Sequence, residues 1–295
     1  MRILTHHAHT SYDAELAKTG HEFSVVGDQG QWDPLIRKLP DNWKFTEQPE
    51  GEFDCILINN HWAMFEKLKA FKGPMIFAII ADCSEGIFPE EIEERSSAVA
   101  FLAKEVSERW TMRDPAKKVV IEMGVDDSPF LPHVGDTRIV LTVGKRIGRR
   151  WDKGHCPYVT VNTFIPLSLV GSGNEDLPGA LGVIPYEKLM DIYSHARVYF
   201  NPGPIIGISV AEAMMAGLPI VTFRPINLRN LIADGINGYV VDTVDGALLR
   251  LAKLLEDPEL ALNMGRVAQT SARDIFCSKK FISRWNNLFS RVTGK

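Results

Sequence analysis

At 295 residues, 45% of them apolar, the chain can bury two cores and exceeds one typical domain. No run of about 18 apolar residues occurs, which excludes a membrane-spanning helix; the four cysteines (Cys55, Cys83, Cys156, Cys277) form no C-x-x-C pair, which argues against a disulfide framework or zinc site and fits free thiols in a reducing cytoplasm. The net charge of −4 is uneven: residues 1–134 carry 14 Lys/Arg against 23 Asp/Glu and residues 135–295 carry 19 against 14, a balance that disfavours nucleic acid and suits a small polyanion on the second half.

In chain order, Arg2–Thr5 reads as a strand rather than a leader peptide, Tyr12–Lys18 as a helix and Glu22–Val26 as a strand. Cys55–Ile58 and Met75–Ile80 are almost wholly apolar, as strands covered on both faces are. Pro89–Arg95 is charged enough for an exposed helix, and Ala98–Leu102 and Val119–Glu122 are short strands. The segment SPFLPHVGDT, with two prolines and a glycine, marks a domain boundary. A second alternating series follows: strands at Arg138–Val143, Leu167–Val170, Val198–Asn201, Pro219–Phe223 and Tyr239–Val241, and helices at Tyr186–His195, Ser209–Ala216, Leu248–Leu255 and Pro258–Ile275. Phe281, Trp285, Leu288 and Phe289 recur at i, i+4, i+7 and i+8, which predicts an amphipathic terminal helix that needs a surface to pack on. Strands alternating with helices predict two doubly wound α/β units, which bind ligands at the carboxyl ends of their strands.

The stretch NPGPIIGISVAEAMMAGLPIVTF (Asn201–Phe223) carries the most chemistry. A strand ends, a glycine-containing loop follows, and a helix opens near Ser209, where free backbone N–H groups suit a diphosphate. Ser209 and Glu212 have the spacing of a capping box, the plainer account of the same residues. The stretch resembles the pattern EGFGLVxLEAMACGxPVV of retaining glycosyltransferases of the GT-B type, particularly glycosyltransferase family 4. LVGSG at Leu169–Gly173, GVIPYEKLMDIYSHARVYFNP at Gly182–Pro202, IADGINGYVV at Ile232–Val241 and GVDDSPFLP at Gly124–Pro132 resemble further family segments, in the family's order.

The resemblance implies two Rossmann-like domains, an acceptor-side domain over 1–132 and a nucleotide-sugar domain over 133–275, with residues 276–295 forming a helix that crosses back to the first. It also implies a metal-independent, retaining transfer of a sugar from a nucleotide diphosphate, UDP- or GDP-linked, to an acceptor hydroxyl, with no cofactor besides that donor. Glu212 falls where the family binds the ribose. Lys153 and one of Arg146, Arg149 and Arg150 fall on the diphosphate, Lys145 taking the place of the usual arginine. Gly171, Ile184, Gly207, Ile208 and Ser209 complete the nucleotide side. The family's first glutamate is replaced by Pro204. No D-x-D sits on a strand end, which argues against the metal-dependent GT-A type.

The first half resembles the family less. Its first loop is His6-His7-Ala8-His9, where relatives carry glycines; neighbouring strand residues point to opposite faces, so a metal is not expected there, and His9 is taken as facing the ligand. His61, ending a buried strand, and Asp82, after MIFAIIAD, are the other catalytic candidates, while His21 in ELAKTGHEFSV reads as structural. A glycan, lipid or small molecule is the expected acceptor, with peripheral membrane association through Lys67–Lys72 as a further expectation. Two alternatives stand beside this reading: a non-catalytic nucleotide-sugar binder, and a viral-type DNA-base glycosyltransferase.

Overall fold

The computed structural model describes residues 1–80, 84–149 and 154–295, apart from the Arg149 side chain. The elements run β1 (Arg2–His6), α1 (Thr10–Ala17), β2 (Glu22–Val26), β3 (Trp43–Thr46), β4 (Cys55–Asn59), α2 (Trp62–Leu68), β5 (Met75–Ile79), β6 (Gly86–Ile87), α3 (Glu90–Arg95), β7 (Ala98–Phe101), α4 (Lys104–Glu108), β8 (Trp110–Thr111) and β9 (Lys118–Val120). They continue with β10 (Val140–Val143), α5 (His155–Phe164), β11 (Leu167–Val170), β12 (Ala180–Gly182), α6 (Tyr186–His195), β13 (Val198–Asn201), α7 (Ile208–Ala216) and β14 (Ile220–Phe223). The chain closes with β15 (Gly238–Val241), α8 (Val244–Glu256), α9 (Pro258–Ile275) and α10 (Ser278–Thr293). Two compact units result: Met1–Gly124 with Ser278–Lys295, and Val125–Cys277.

The first unit is built on a parallel sheet in the order β3-β2-β1-β4-β5-β7-β9, with a β6–β8 pair beside it. Its central strands, CILIN and MIFAI, are buried at every position because helices cover both faces. Alternate residues divide between those faces. Ile3, Phe23, Val25, Cys55, Leu57, Ile76 and Ala78 form one core with Leu16 of α1 and Phe281, Trp285, Leu288 and Phe289 of α10. The predicted terminal helix is therefore part of the first unit. Its Phe281 ring meets the Gly124 backbone so closely that a Cβ at Gly124 would lie 2.6 Å from Phe281 Cγ. His21, read as structural, packs edge-on against Phe289 at 5.3 Å, and burial lowers its pKa.

Helix α3 departs from expectation. Ile92 and Glu93 are buried, and Glu93 accepts from the backbone N–H groups of Arg113 (3.2 Å) and Asp114 (2.7 Å). One carboxylate of the charged run thus serves as an internal acceptor for the backbone of the loop after β8.

In the second unit the parallel sheet runs β12-β11-β10-β13-β14-β15. Counted within the unit this is 3-2-1-4-5-6, the doubly wound order in which the winding reverses between the first and fourth strands. Both sheets have the Rossmann-like form that the sequence predicts. No helix among the described residues is long and apolar enough to cross a membrane.

Candidate functional site

Ligands of a doubly wound sheet bind where the winding reverses, at the carboxyl ends of the flanking strands. In the second unit those strands are β10 and β13, and hydrogen bonds fix the described parts of the loops leaving them. After β10, Gly144 N donates to Val170 O (2.9 Å) and Arg146 N to Ser172 O (2.9 Å), tying this loop to the one after β11. Asn174, 2% exposed, rivets the two: its Nδ2 donates to Gly144 O (2.7 Å) and Gly171 O (2.9 Å), and its Oδ1 accepts from Ile147 N (2.7 Å). The loops approach so closely that a Cβ on Gly171 would sit 2.2 Å from Gly144 O, at a φ of +132° that side chains rarely adopt.

The loop after β13 is held from both ends. Asn201 Nδ2 donates to Gly203 O (2.8 Å), Ile205 O (3.2 Å) and Thr222 Oγ1 (3.0 Å). Asn227 bonds both backbone groups of Ile206 at 2.8 Å. Gly154, at the start of α5, packs on this loop: a Cβ there would lie 2.0 Å from Pro202 O. Gly154 is thereby held against the loop that leads into α7.

Helix α7 begins at Ile208 with Gly207 as its N-cap, and no side chain caps it. The capping box does not form, because the helix starts two residues earlier than its spacing requires and Ser209 already lies inside it. Gly207 is also not demanded by the fold: its φ is −109° and a Cβ there would meet nothing within 4 Å. Glu212, on the same helix, is only 4% exposed. Beneath the helix start lies Tyr199, which the sequence did not single out. Its hydroxyl donates to Val143 O (3.0 Å) and neighbours Ser209 and Glu212, so that one phenol links the end of β10 to α7. Burial pushes that phenol up to about 12, keeping it a donor.

The predicted donor-side residues are thus placed as follows. Gly207, Ile208, Ser209 and Glu212 lie on α7 or its cap, and Gly171 in the loop after β11. Arg146 is exposed, has a φ of 54°, and runs its side chain over Gly173, whose added Cβ would lie 2.6 Å from Arg146 Cγ. Ile184 is half-buried between β12 and α6. Arg149 ends a 3-10 turn. Arg150, Lys153 and, in the first unit, Asp82 lie outside the described residues. A cavity of about 350 Å³ lies at the opposite end of α7, lined by His133, Gly217, Arg266 and Arg273 among others, away from these residues.

In the first unit the corresponding reversal falls between β1 and β4, and here the strand ends carry rings and amides. His6 is buried, accepts from Asn59 N at Nε2 (3.0 Å), and so donates from Nδ1 to His7 O (3.1 Å). Burial lowers its pKa to about 4, so it is neutral and serves to join β1 to β4. His7 Nδ1 lies 2.8 Å from Asp13 Oδ2, which also accepts from the N–H groups of Ala8 (2.9 Å) and His9 (3.2 Å). Burial raises the Asp13 pKa, opposed by these donors. His9 is the exposed N-cap of α1, and His61 the exposed N-cap of α2, its Nδ1 accepting from Met64 N at 3.2 Å. The His61 ring meets His6 edge-on at 5.4 Å. The three histidines of the first loop therefore have three different surroundings, and among the described residues none joins a cluster fit for a metal.

Residues 174–271 match the family described as "Glycosyl transferases group 1". Over 216 residues the chain is 26% identical to a trehalose synthase of Rubrobacter xylanophilus, covering 62% of this chain and 48% of that protein. It is 27% identical over 268 residues to a phosphatidyl-myo-inositol mannosyltransferase of Mycolicibacterium smegmatis, covering 76% and 67%. The chain thus spans about half the length of the first of these relatives. Its fold is similar to that of Anabaena HepE solved with UDP-glucose, at a TM-score of 0.72 and 15% identity, covering 100% of this chain and 99% of that one.

Proposed function

We propose that this chain, which carries a glycosyl transferases group 1 domain over residues 174–271 on a GT-B fold, transfers a sugar from a nucleotide diphosphate to an acceptor hydroxyl. The observation that carries the reading is the open entrance of α7 at the winding reversal: an uncapped helix start, a glycine with nothing near its missing Cβ, and Gly154 packed against the same loop. The first N–H groups of a helix, with its partial positive end, stabilise a diphosphate, and they do so most in a site that needs no rearrangement. In this reading Ile208 and Ser209 present those N–H groups, and Gly207 admits the phosphate oxygens. Arg146, Arg149, Arg150 and Lys153 offset the charge gathering on the leaving diphosphate. Glu212 accepts the two ribose hydroxyls, Gly171 lines the site with its backbone, and Ile184 packs on the base. HepE, solved with UDP-glucose, supports a nucleotide-sugar donor with UDP first among the candidates, and the name of the mannosyltransferase relative supports sugar transfer.

The first unit then receives the acceptor, with His9, His61 and Asp82 orienting its hydroxyl. No metal is assigned to the reaction, and retention of configuration rests on the family resemblance. Pro204 favours a second reading. It stands where related patterns carry a glutamate and uses its carbonyl to accept from Ile226 N (2.9 Å), so this position offers the donor sugar no carboxylate. A protein that binds but does not transfer would show the same donor site without turnover.

Thermal unfolding with UDP-, GDP-, ADP- and TDP-sugars, without added metal, tests the donor site. A ligand at about 100 times its Kd stabilises by about 2.7 kcal/mol, which is several degrees at this size. One nucleotide is expected to raise the Tm of the wild type, and Glu212→Gln to weaken that binding at least about tenfold, because hydrogen bonds to a charged acceptor are the stronger kind. If millimolar nucleotide sugar leaves the wild-type Tm unmoved, the donor site is not where we place it. Release of free nucleotide with and without acceptor then separates transfer from binding alone.

A further inference from the structure

Trp62 opens α2 directly after His61 and keeps 40% of its surface in solvent. One face of the indole is stacked on the buried ring of Phe77, centroids 5.1 Å apart and planes 28° from parallel. Phe88 closes on it at 6.4 Å. The ring is therefore held from behind and at its side rather than left to swing, and what remains open is a fixed flat surface. Beside it the chain carries hydrogen-bonding groups: the exposed His61, and Asn60, whose backbone sits at a φ of +47° and whose buried Oδ1 has no partner among the described residues. Asn59, the last residue of β4 and 3% exposed, likewise has neither amide atom partnered among the described residues. Buried amides without partners are uncommon enough to need a reason.

A rigid aromatic face next to donors and acceptors matches the shape of a pyranose. One side of such a ring presents C–H bonds, which pack on an indole, and its rim presents hydroxyls, which need polar partners. A bilayer surface fits less well. Ile87, 82% exposed, leads into a strongly acidic stretch, with Glu85 before it and Glu90, Glu91, Glu93 and Glu94 after it. Lys69, the middle cation of the 67–72 run, bridges Glu66 (2.7 Å) and Glu91 (2.6 Å). An anionic membrane approaching this side would meet carboxylates, which repel it.

We propose that Trp62 is the platform on which a sugar ring of the acceptor stacks, so that the acceptor is a carbohydrate. The proposal rests on the glycosyl-transfer reading above and narrows its acceptor class.

The test is saturation-transfer NMR of the full chain with methyl α-glucopyranoside, methyl α-mannopyranoside and maltose, without any nucleotide, for wild type, Trp62→Ala and Trp62→Phe. At least one saccharide is expected to receive saturation on its ring C–H protons. Its affinity should fall about tenfold in Trp62→Ala and be largely kept in Trp62→Phe, where an aromatic face remains. All three proteins should give the same Tm rise with the nucleotide sugar, which checks that they are folded. If no saccharide of the panel binds wild type, or if binding ignores Trp62→Ala, the platform is wrong. Trp62-dependent binding to phosphatidylinositol vesicles in place of saccharide binding overturns it in favour of a lipid surface. Absence of any nucleotide-induced Tm rise would count against the donor site instead, because saccharide binding is read without a donor.

Discussion

The two sheets share one winding scheme, yet their strand ends are finished in different materials. At the reversal in the second unit the shape is made by backbone: Gly144 and Gly171 in near contact, Gly154 against Pro202, Gly207 opening a helix. At the reversal in the first unit it is made by side chains: His6 bonded to Asn59 N, His7 against Asp13, His61 capping α2. Backbone N–H groups recognise what every nucleotide sugar has in common, a diphosphate. Side chains recognise what differs from one acceptor to the next. In the proposed reading, the contrast gives the general half of recognition to the second unit and the selective half to the first.

The largest expected effect breaks the backbone-built half. Gly171→Ala places a methyl 2.2 Å from Gly144 O at an unfavourable φ, and is expected to cost about 3 kcal/mol or more, read as a lowered denaturation midpoint. A midpoint like that of the wild type would show that the loop contact is not required.

A comparable effect probes the side-chain half through pH. His6 has a folded pKa of about 4, below its unfolded value of 6.5, so its contribution is complete above pH 6.5 and is lost as pH falls towards 4. The total is roughly 3 kcal/mol. Burial lowers His133 in the same sense, whereas the raised Asp13 acts oppositely. Urea unfolding at about pH 7 and about pH 5 should show the loss in wild type and a smaller one in His6→Gln; equal losses would remove His6 from the account.

The smallest effect on stability sharpens the comparison most. Gly207→Ala meets open space, so stability should stay within about 0.5 kcal/mol while nucleotide-sugar affinity falls about tenfold. Unchanged affinity would mean that no ligand approaches that backbone.

How far the sequence could be read follows the same division. Glycines leave a trace because a close approach or a positive φ excludes other residues, and Gly171 stands in the LVGSG motif quoted from the sequence. The central strands were legible because CILIN and MIFAI are apolar throughout. Strand β3 was not, since WKFT is four residues at a sheet edge. Helix α5 escaped because HCPYVTVNTF is rich in β-branched residues of low helix propensity, and Tyr158 and Val161, both buried, anchor it instead. Tyr199 and Asn174 were missed for a further reason. Each acts by joining loops distant in sequence, and a single tyrosine or asparagine carries no spacing that announces such a partner.

Helix α10 has a bearing on how the polypeptide is made. Thr293 Oγ1 lies 3.5 Å from Met1 Sδ, and Ser278 bonds Glu15, so the first core draws on both ends of the chain. On the ribosome the opening 124 residues emerge long before Phe281 and Trp285 exist to cover their sheet. The intervening unit, continuous from Val125 to Cys277, has all its parts earlier. Folding during synthesis is therefore expected to finish in the middle of the sequence first, with the leading segment waiting, its apolar face unfilled, for the last helix to arrive.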